Sequence, residues 1–206
     1  MSYIKGAPLV SSMGRIGRDF FVRSSPRVAR SLLGQVLVRM ENGQRLAGII
    51  VETEAYRGLF DPASHAYQGM TKRNKVMFGE AGHAYVYLSY GVHQCLNITT
   101  ERPGIPAAVL IRALEPIEGI ETMKKRRNTQ RIQELTSGPG KLTKALGISL
   151  DFNGEDLAKS KTLFLEGGKS NGTVKSSTRI GISAGKNRRW RFFFDGNYFV
   201  SHRKPP

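Results

Sequence analysis

Two carboxylates and a phenol fall on one face of a predicted β-strand in the first third of the chain. Residues 45–56 have the composition of a strand, and side chains alternate between the two faces of a strand, so Glu52, Glu54 and Tyr56 share a face. A carboxylate on the floor of a cleft can act as a general base that activates a water molecule. A solvated outer face is the alternative interpretation of this strand.

The charge of the whole chain favours the chemical interpretation. The 206 residues include 32 Lys and Arg against 16 Asp and Glu, a formal net charge of +16. Such a basic chain is typical of a protein with a polyanionic partner, although charge alone does not separate ribosomal from repair proteins. Residues 41–70 instead hold two basic and four acidic residues, net 2 − 4 = −2. Carboxylates within a polyanion-binding surface are better explained by chemistry than by solvation.

Aromatic side chains follow on the next predicted strand and at its end. Tyr85 and Tyr87 share a face of residues 84–88, and Tyr90 stands before Gly91 at a predicted turn. A strand tyrosine can stack on a nucleobase, and a tyrosine at a turn tip can act as a wedge between bases. Half-buried packing is the structural alternative for each strand tyrosine.

A histidine and an arginine are further candidates for chemistry. His65 lies in the long polar segment 58–82, where Asp61 and Ser64 are near enough in sequence to orient it. Arg112 is the one charge in the apolar run 107–114, and a buried arginine requires a partner such as Glu54, a phosphate or a water. Emergence at a strand edge is the structural alternative for Arg112.

Several classes of protein and site are excluded by what the sequence lacks. A single cysteine, Cys95, excludes a disulfide framework and a multi-cysteine metal site. His83, His93 and His202 show no metal-ligand spacing with His65, and no HExxH motif occurs. No apolar run of about 18 residues and no signal peptide is present. We therefore expect a soluble intracellular protein that binds neither metal nor cofactor.

The elements that position these residues predict one α+β domain spanning residues 1–206. Strands joined by short turns, such as the Asn42-Gly43 turn, favour a mainly antiparallel sheet with flanking helices. The predicted strands are 35–40, 45–56, 84–88, 94–99, 107–114, 178–182 and 190–194. The predicted helices are 25–33, 116–127 and 141–146, the last of which follows a Ser-Gly-Pro-Gly turn.

Longer runs around these residues resemble the alkylpurine (3-methyladenine) DNA glycosylase family of the mammalian type. The runs occur in the family's order and together extend over most of the chain. They are LLGQVLVRM (32–40), GIIVETEAYRG (48–58), HAY (65–67), TKRNKVMF (71–78), YVYLSYG (85–91), CLNIT (95–99), VLIRALEPIEGIETM (109–123) and SGPGKLTKALGI (137–148). Residues 149–178, rich in Lys, Ser and Gly, match the family poorly and are expected to form a flexible loop.

The resemblance implies a curved antiparallel sheet and a monofunctional base-excision repair enzyme that flips damaged purines out of duplex DNA. The implied substrates are 3-methyladenine, 7-methylguanine, hypoxanthine and ethenoadenine, and the implied product is an abasic site. No cofactor, metal or membrane is implied, and a monomer is expected. The short N-terminus suggests a bacterial member, located in the cytoplasm on the chromosome; a eukaryotic member would be nuclear.

The resemblance also implies a role for each matched residue. Glu54 resembles the general base, and Arg112 resembles the residue that helps to hold the attacking water. The flipped base is implied to lie between Tyr56, His65 and Tyr87, with Asn97 on the pocket floor disfavouring the exocyclic amine of guanine. The implied DNA contacts are the wedge Tyr90 together with Arg73 and Lys141. The basic N-terminal arm, the run 124–127 and the tail are expected to hold phosphates.

Two other function classes remain open from the sequence. A noncatalytic DNA- or RNA-binding protein that keeps the fold would bind duplexes without releasing a base. A transferase acting on charged tRNA would need a cosubstrate pocket, for which no motif is present.

Overall fold

An antiparallel sheet curls into a half-barrel in the computed structural model, which describes residues 14–169 and 172–201. Eight strands are found in the described residues: β1 (Val36–Glu41), β2 (Gln44–Arg57), β3 (Ala84–Ser89), β4 (His93–Thr99), β5 (Ala107–Glu118), β6 (Leu163–Glu166), β7 (Val174–Ser177) and β8 (Arg191–Phe194). The order across the sheet is β3-β4-β5-β2-β1-β6, and β8 pairs with both β2 and β7. The prediction of a single α+β domain built on a mainly antiparallel sheet is confirmed.

Short helices flank this sheet and complete its core. They are α1 (Ser25–Leu32), α2 (Ile120–Arg127), α3 (Gln133–Thr136) and α4 (Pro139–Leu146). Helix α1 packs on β2 and β5, and α4 packs on β4 and β5. Their fully buried residues, such as Val28 of α1 and Leu142 of α4, join one continuous apolar cluster with the sheet. Helix and sheet therefore fix each other's position through apolar burial.

Strand β2 is the central element because it pairs with β1, β5 and β8. It begins after the predicted Asn42-Gly43 turn, whose residues have φ of 49° and 76°, the left-handed values that a tight hairpin requires. The register between β2 and β5 shifts on both sides of Glu52. As a result, Glu52 pairs with Ala113 and Thr53 pairs with Ile111, and Arg112 between them has no paired residue on β2. Such bulges redirect side chains, and here they lie at Glu52 and Arg112, two of the buried charged residues of the sheet.

Two element predictions are wrong. The helix predicted to begin at Pro116 begins at Ile120, because β5 continues to Glu118 along the long strand β2. Pro116 pairs opposite Gly48 next to a register shift, a position where a strand tolerates the missing N–H. The strand predicted over 178–182 lies earlier, at β7, and Arg179 is a buried residue rather than part of an edge strand.

Residues 149–178 contain strands where the sequence predicts a loop. β6 pairs with β1, and β7 pairs with β8. Leu157 and Leu163 are fully buried, so this segment contributes to the core. Residues 170 and 171 fall outside the described residues, as do 1–13 and 202–206, which carry the start of the basic arm, the end of the tail and His202. In the part of the chain that the structure describes, no helix is long and apolar enough to span a bilayer.

Candidate active site

A cleft of about 1120 Å³ opens over one face of the sheet, lined by residues of β2, β3, β4 and β5. Most of the predicted site residues line it together: Tyr56, His65, Arg73, Tyr87, Tyr90, Asn97, Arg112 and Lys141. They come from β2, β3, β4, β5, helix α4, the long segment after β2 and the turn between β3 and β4. The fold thus gathers residues separated by up to 85 positions in the chain (141 − 56). The cleft exceeds the size of a pocket for one small ligand, which is about 300–1,000 Å³.

Glu54 lies directly beneath this cleft and is fully buried. Its Oε2 accepts hydrogen bonds from the Tyr56 hydroxyl at 2.9 Å and from Arg112 Nη1 at 3.3 Å. Its Oε1 accepts a hydrogen bond from the backbone N–H of Ile180 at 2.7 Å. All three donors belong to residues that line the cleft. A carboxylate has about four acceptor positions, so one position on Oε1 is left for a water or substrate donor.

The strand alternation predicted for β2 is confirmed at this site. Thr53 points away from the cleft and its hydroxyl donates to the carbonyl of Ala29 in α1, while Val51 and Ala55 join the apolar core. Glu52 and Glu54 face the cleft side, where both pair with Arg112. The carboxylates are therefore buried under the cleft, and the solvated outer face is ruled out.

Arg112 is held by two carboxylates at once. Its Nε donates to Glu52 Oε1 at 3.0 Å, while Nη1 faces Glu54. Its Nη2 lies 3.4 Å from the Ser201 hydroxyl. Only 7% of Arg112 is exposed, so the predicted requirement for a buried partner is met by Glu54 and, in addition, by Glu52.

Three aromatic side chains form one wall of the cleft. The ring centroids of His65 and Tyr87 are 4.5 Å apart in an edge-to-face arrangement, and those of Tyr85 and Tyr87 are 5.5 Å apart. Nδ1 of His65 and the Tyr85 hydroxyl share a hydrogen bond of 2.9 Å. Burial, and then the charge of Arg73, lower the pKa of His65, so its imidazole is neutral at pH 7. The prediction that Asp61 and Ser64 orient His65 is wrong, since Tyr85 does so.

Tyr56 also lines the cleft, and Arg179 packs against its ring. The guanidinium carbon of Arg179 lies 4.6 Å from the Tyr56 ring centroid. Burial and then the Glu54 charge raise the pKa of the Tyr56 phenol well above its ordinary value. The hydroxyl therefore stays protonated and remains a donor to Glu54.

Asn97 lies at the bottom of the cleft on β4, where only 4% of it is exposed. Its Nδ2 donates to the backbone carbonyl of Tyr85 at 3.1 Å. This bond fixes the amide against the strand that carries the aromatic wall. A fixed amide at this depth can discriminate between groups on a bound base.

Tyr90 stands at the rim of the cleft, at the tip of the loop between β3 and β4. Its side chain is 88% exposed, and its φ of 50° is followed by Gly91 at 72°. The turn predicted from Tyr90-Gly91 is therefore present. Because the left-handed conformation is rare for tyrosine, the loop displays this ring at some conformational cost.

The cleft is lined with cations. Five Arg or Lys and no Asp or Glu occur among the described residues that line it: Arg73, Arg112, Arg127, Lys141 and Lys144. Arg73 donates to the carbonyl of Leu88 at 3.2 Å and lies 5.0 Å from the Tyr87 ring centroid. Lys141 pairs with Glu134 at the side of the cleft. The described ranges contain no group of three His, Cys, Asp or Glu that could hold a metal ion.

The basic run 124–127 is engaged largely within the protein. Arg126 binds Glu41 and the carbonyl of Ala145, and Arg127 donates to the carbonyl of Glu134. Lys124 pairs with Glu121. The run therefore ties α2 to its neighbours, and Arg127 is its one member that lines the cleft.

Four residues that the sequence analysis did not assign to the site support it from below. Glu52, Arg191 and Ser201 form a buried network under Arg112, and Arg179 backs Tyr56. In the sequence, Arg179 and Arg191 lie between apolar residues of the tail. This position indicates burial, and a buried charge requires a partner. Glu52 shares the predicted strand face with Glu54, and two of its partners, Arg191 and Ser201, are over 130 residues away.

Asp61 and Arg179 form a second fully buried ion pair beside the site. Two Arg179 nitrogens contact the two Asp61 oxygens at 2.5 and 2.7 Å, and Asp61 also accepts from two backbone N–H groups. Burial opposes ionisation of Asp61, but the hydrogen bonds and charge of Arg179 outweigh it and lower its pKa. The pair joins the segment after β2 to the tail segment that bears Ile180.

We expect Asp61→Asn to lower the free energy of unfolding at pH 7 by about 3–5 kcal/mol, because it leaves Arg179 buried without a counter-charge. The native pKa of Asp61 is depressed, so its contribution is complete above about pH 4 and is lost as pH falls through the native value. Urea titrations at pH 7 and at acid pH measure this. Asp195→Asn, which removes an exposed partner of Lys175, should cost under about 1 kcal/mol. Equal losses in both variants would contradict the prediction.

Comparison with known proteins identifies the family to which this site belongs. The methylpurine-DNA glycosylase family matches residues 19–198. A protein of Carboxydothermus hydrogenoformans is 50% identical over 188 residues, covering 90% of this chain and 98% of the relative. Proteins of Prosthecochloris aestuarii (48% over 196 residues; 94% of each chain) and Methanocella arvoryzae (50% over 192 residues; 91% and 96%) are similar. Each is named "Putative 3-methyladenine DNA glycosylase".

The family match includes every residue of the cleft except Ser201. The resemblance found in the sequence agrees with this family match. So do the relatives, which share about half of their residues with this chain over most of its length. The chain therefore belongs to the methylpurine-DNA glycosylase family and is a DNA glycosylase of base excision repair that acts on alkylated bases.

Proposed function

We propose that this glycosylase flips an alkylated or deaminated purine out of duplex DNA into the cleft and hydrolyses its N-glycosidic bond with a water activated by Glu54. The proposed substrates are 3-methyladenine, 7-methylguanine, hypoxanthine and ethenoadenine. The observation that carries the proposal is the position of Glu54 directly beneath the cleft, bonded to Tyr56 and Arg112, which both line it.

The chemical step needs one proton acceptor and one nucleophile. The water oxygen attacks C1′ of the flipped nucleotide, and its proton passes to the Glu54 carboxylate. The bond between C1′ and the base nitrogen breaks, and its electron pair leaves with the base. The buried carboxylate also stabilises the positive charge that develops on the sugar. The product is a free base and an abasic site in an intact strand, since the nucleophile in this scheme is water and not a lysine.

Binding of the flipped base is supported by the aromatic residues of the cleft. Tyr56, His65 and Tyr87 all line the cleft, and the proposed position of the flipped base is between Tyr56 and the His65–Tyr87 pair. Electron-rich rings attract alkylated purines that carry a positive charge, and neutral bases are also bound by stacking on the same rings. Damaged bases pair weakly, which lowers the cost of extrusion and contributes to selection.

Binding of the surrounding DNA is supported by the charge around the cleft. Arg73 and Lys141 are the proposed phosphate contacts, and both line the cleft where no acidic residue of the described chain does. Tyr90 is the proposed wedge that fills the space left by the flipped base. We further propose that the enzyme acts as a monomer in the cytoplasm, on the chromosome, since its substrate is DNA and its relatives are bacterial and archaeal.

A panel of lesions tests the proposed substrates. Duplexes that carry one hypoxanthine or one ethenoadenine, and DNA treated with a methylating agent, are incubated with excess enzyme, and free bases are quantified by chromatography. We expect release of hypoxanthine, ethenoadenine, 3-methyladenine and 7-methylguanine. Binding of all substrates without release of any base would instead support the noncatalytic alternative. Release of the methylated bases alone would restrict the proposal to cationic purines.

We expect Asn97→Ser to release normal guanine at least about tenfold faster than the parent, relative to hypoxanthine. The shorter side chain makes room for the guanine amine, and one misfitting group in a pocket is worth about 1–3 kcal/mol. Guanine release from undamaged duplexes is compared with hypoxanthine release under single-turnover conditions.

Asn153→Ser is the matched control for this prediction. The Asn153 amide also bonds to β3, through Val86 N at 3.1 Å, but it does not line the cleft. The ratio of guanine to hypoxanthine release should stay at the parental value in this variant. The same ratio in Asn97→Ser and in the parent would rule out Asn97 as the discriminating residue.

A further inference from the structure

Glu52 is a buried carboxylate that the proposed reaction does not use. It is 0% exposed, yet it receives hydrogen bonds from three separate parts of the chain. Oε1 accepts from Arg112 Nε at 3.0 Å, Arg191 Nε at 2.6 Å and the Ser201 hydroxyl at 2.9 Å. Oε2 accepts from the Ser201 backbone N–H at 2.6 Å. Burial opposes its ionisation, but the charges of Arg112 and Arg191 outweigh this and lower its pKa.

Of the two carboxylates, Glu52 makes the shorter hydrogen bond to Arg112. The Nε bond to Glu52 is 3.0 Å long, whereas Nη1 reaches Glu54 at 3.3 Å. A guanidinium facing a single carboxylate tends to form two parallel N–H···O bonds. Here Nε donates to Glu52 and Nη2 faces the Ser201 hydroxyl, so Nη1 alone reaches Glu54. Glu54 thus accepts one bond from Arg112 and keeps an acceptor position open on Oε1.

We propose that Glu52 is a positioning residue of the glycosylase reaction, which holds Arg112 in the orientation that keeps Glu54 free to accept a proton from water. Without this carboxylate, Arg112 turns toward Glu54 and pairs with both of its oxygens. This inference rests on the proposed role of Glu54 as the base. It adds that the first glutamate of the Glu-Thr-Glu sequence has a task distinct from that of the second.

The charges around the two carboxylates balance. Glu54 faces Arg112 on β5, Tyr56 on β2 and the Ile180 N–H from the segment after β7. Glu52 faces Arg112 and Arg191, so two negative and two positive charges lie together. Glu52→Gln removes one of the negative charges and leaves Glu54 as the carboxylate partner of Arg112.

We test this with Glu52→Gln in single-turnover release of hypoxanthine from a duplex at pH 7. The rate constant should fall about 10- to 100-fold, since a misplaced active-site group has effects of this order. The affinity for the lesion duplex should remain parental. The reaction amplitude reports the folded fraction, so a purely structural role would lower the amplitude and leave the rate constant unchanged. That result would overturn the proposal.

Glu101→Gln is the matched control, since Glu101 is also buried and bonds to Arg57 and the Ser25 N–H away from the cleft. It should keep the parental rate constant and the parental affinity. If Glu52→Gln yields no folded protein, Ser201→Ala decides, because it removes the hydroxyl shared by Glu52 and Arg112. A threefold to tenfold slower reaction supports the proposal, and an unchanged rate constant overturns it. Failure of Glu54→Gln to slow release would instead refute the proposed function itself.

Discussion

Glu54→Gln should reduce single-turnover base release by about 10³-fold while leaving the affinity for lesion-containing duplex within about threefold of the parent. A general base contributes about 10²–10⁴ to a rate, and the variant removes only the proton acceptor. Glutamine keeps the size of the side chain and can still accept from the Ile180 N–H. The base pocket and the DNA-binding surface are not altered, so binding should persist.

The measurement pairs a fluorescence binding titration with single-turnover kinetics on one hypoxanthine duplex. Glu101→Gln serves again as the control for the loss of a buried carboxylate, and it should release base at the parental rate. Comparable rates for Glu54→Gln and the parent would contradict the role of Glu54. Loss of binding together with release would show that Glu54 acts in DNA binding or in folding instead.

Tyr90→Ala should reduce single-turnover release from a fully paired duplex by about 30- to 100-fold. The wedge offsets part of the unstacking cost of a few kcal/mol, and each 1.4 kcal/mol corresponds to a factor of ten. Tyr90→Phe should restore most of the rate, because the proposed function of the residue depends on its ring. The loss should also shrink when the lesion lies in single-stranded DNA, where no base pair has to open.

Tyr198→Ala is the control for Tyr90→Ala. Tyr198 is 63% exposed and packs edge-to-face on Phe199, outside the cleft. Its removal should leave release from paired and single-stranded substrates unchanged. An equal loss on both substrates in Tyr90→Ala would contradict the wedge and would point to a general role in binding.

The sequence predicted the face of β2 correctly because strand alternation is a local rule. Glu54 and Tyr56 share a side in the structure as the spacing requires, and Tyr90 stands at the predicted turn. The prediction failed where a non-local partner overrides a local signal. Pro116 is a good helix start, but the pairing of β5 with the long strand β2 extends past it.

The supporting network could not be predicted from the sequence for the same reason. Glu52 meets Arg191 and Ser201 only because β8 pairs with β2 beside it. Likewise, Arg179 contacts Asp61 across 118 positions in the chain. An isolated arginine between apolar residues indicates a buried partner, but only the fold identifies which carboxylate it is. The short strands β6 and β7 have four residues each, too few for alternation to reveal them.

The central claim is that the site hydrolyses a glycosidic bond and leaves the DNA strand intact. The most direct test incubates excess enzyme with an end-labelled duplex carrying one hypoxanthine and analyses the DNA with and without alkali. We expect free hypoxanthine, an intact strand before alkali and cleavage at the lesion after it. Strand cleavage without alkali would contradict hydrolysis by water, and full-length DNA after alkali, with no free hypoxanthine, would contradict glycosylase action on this lesion.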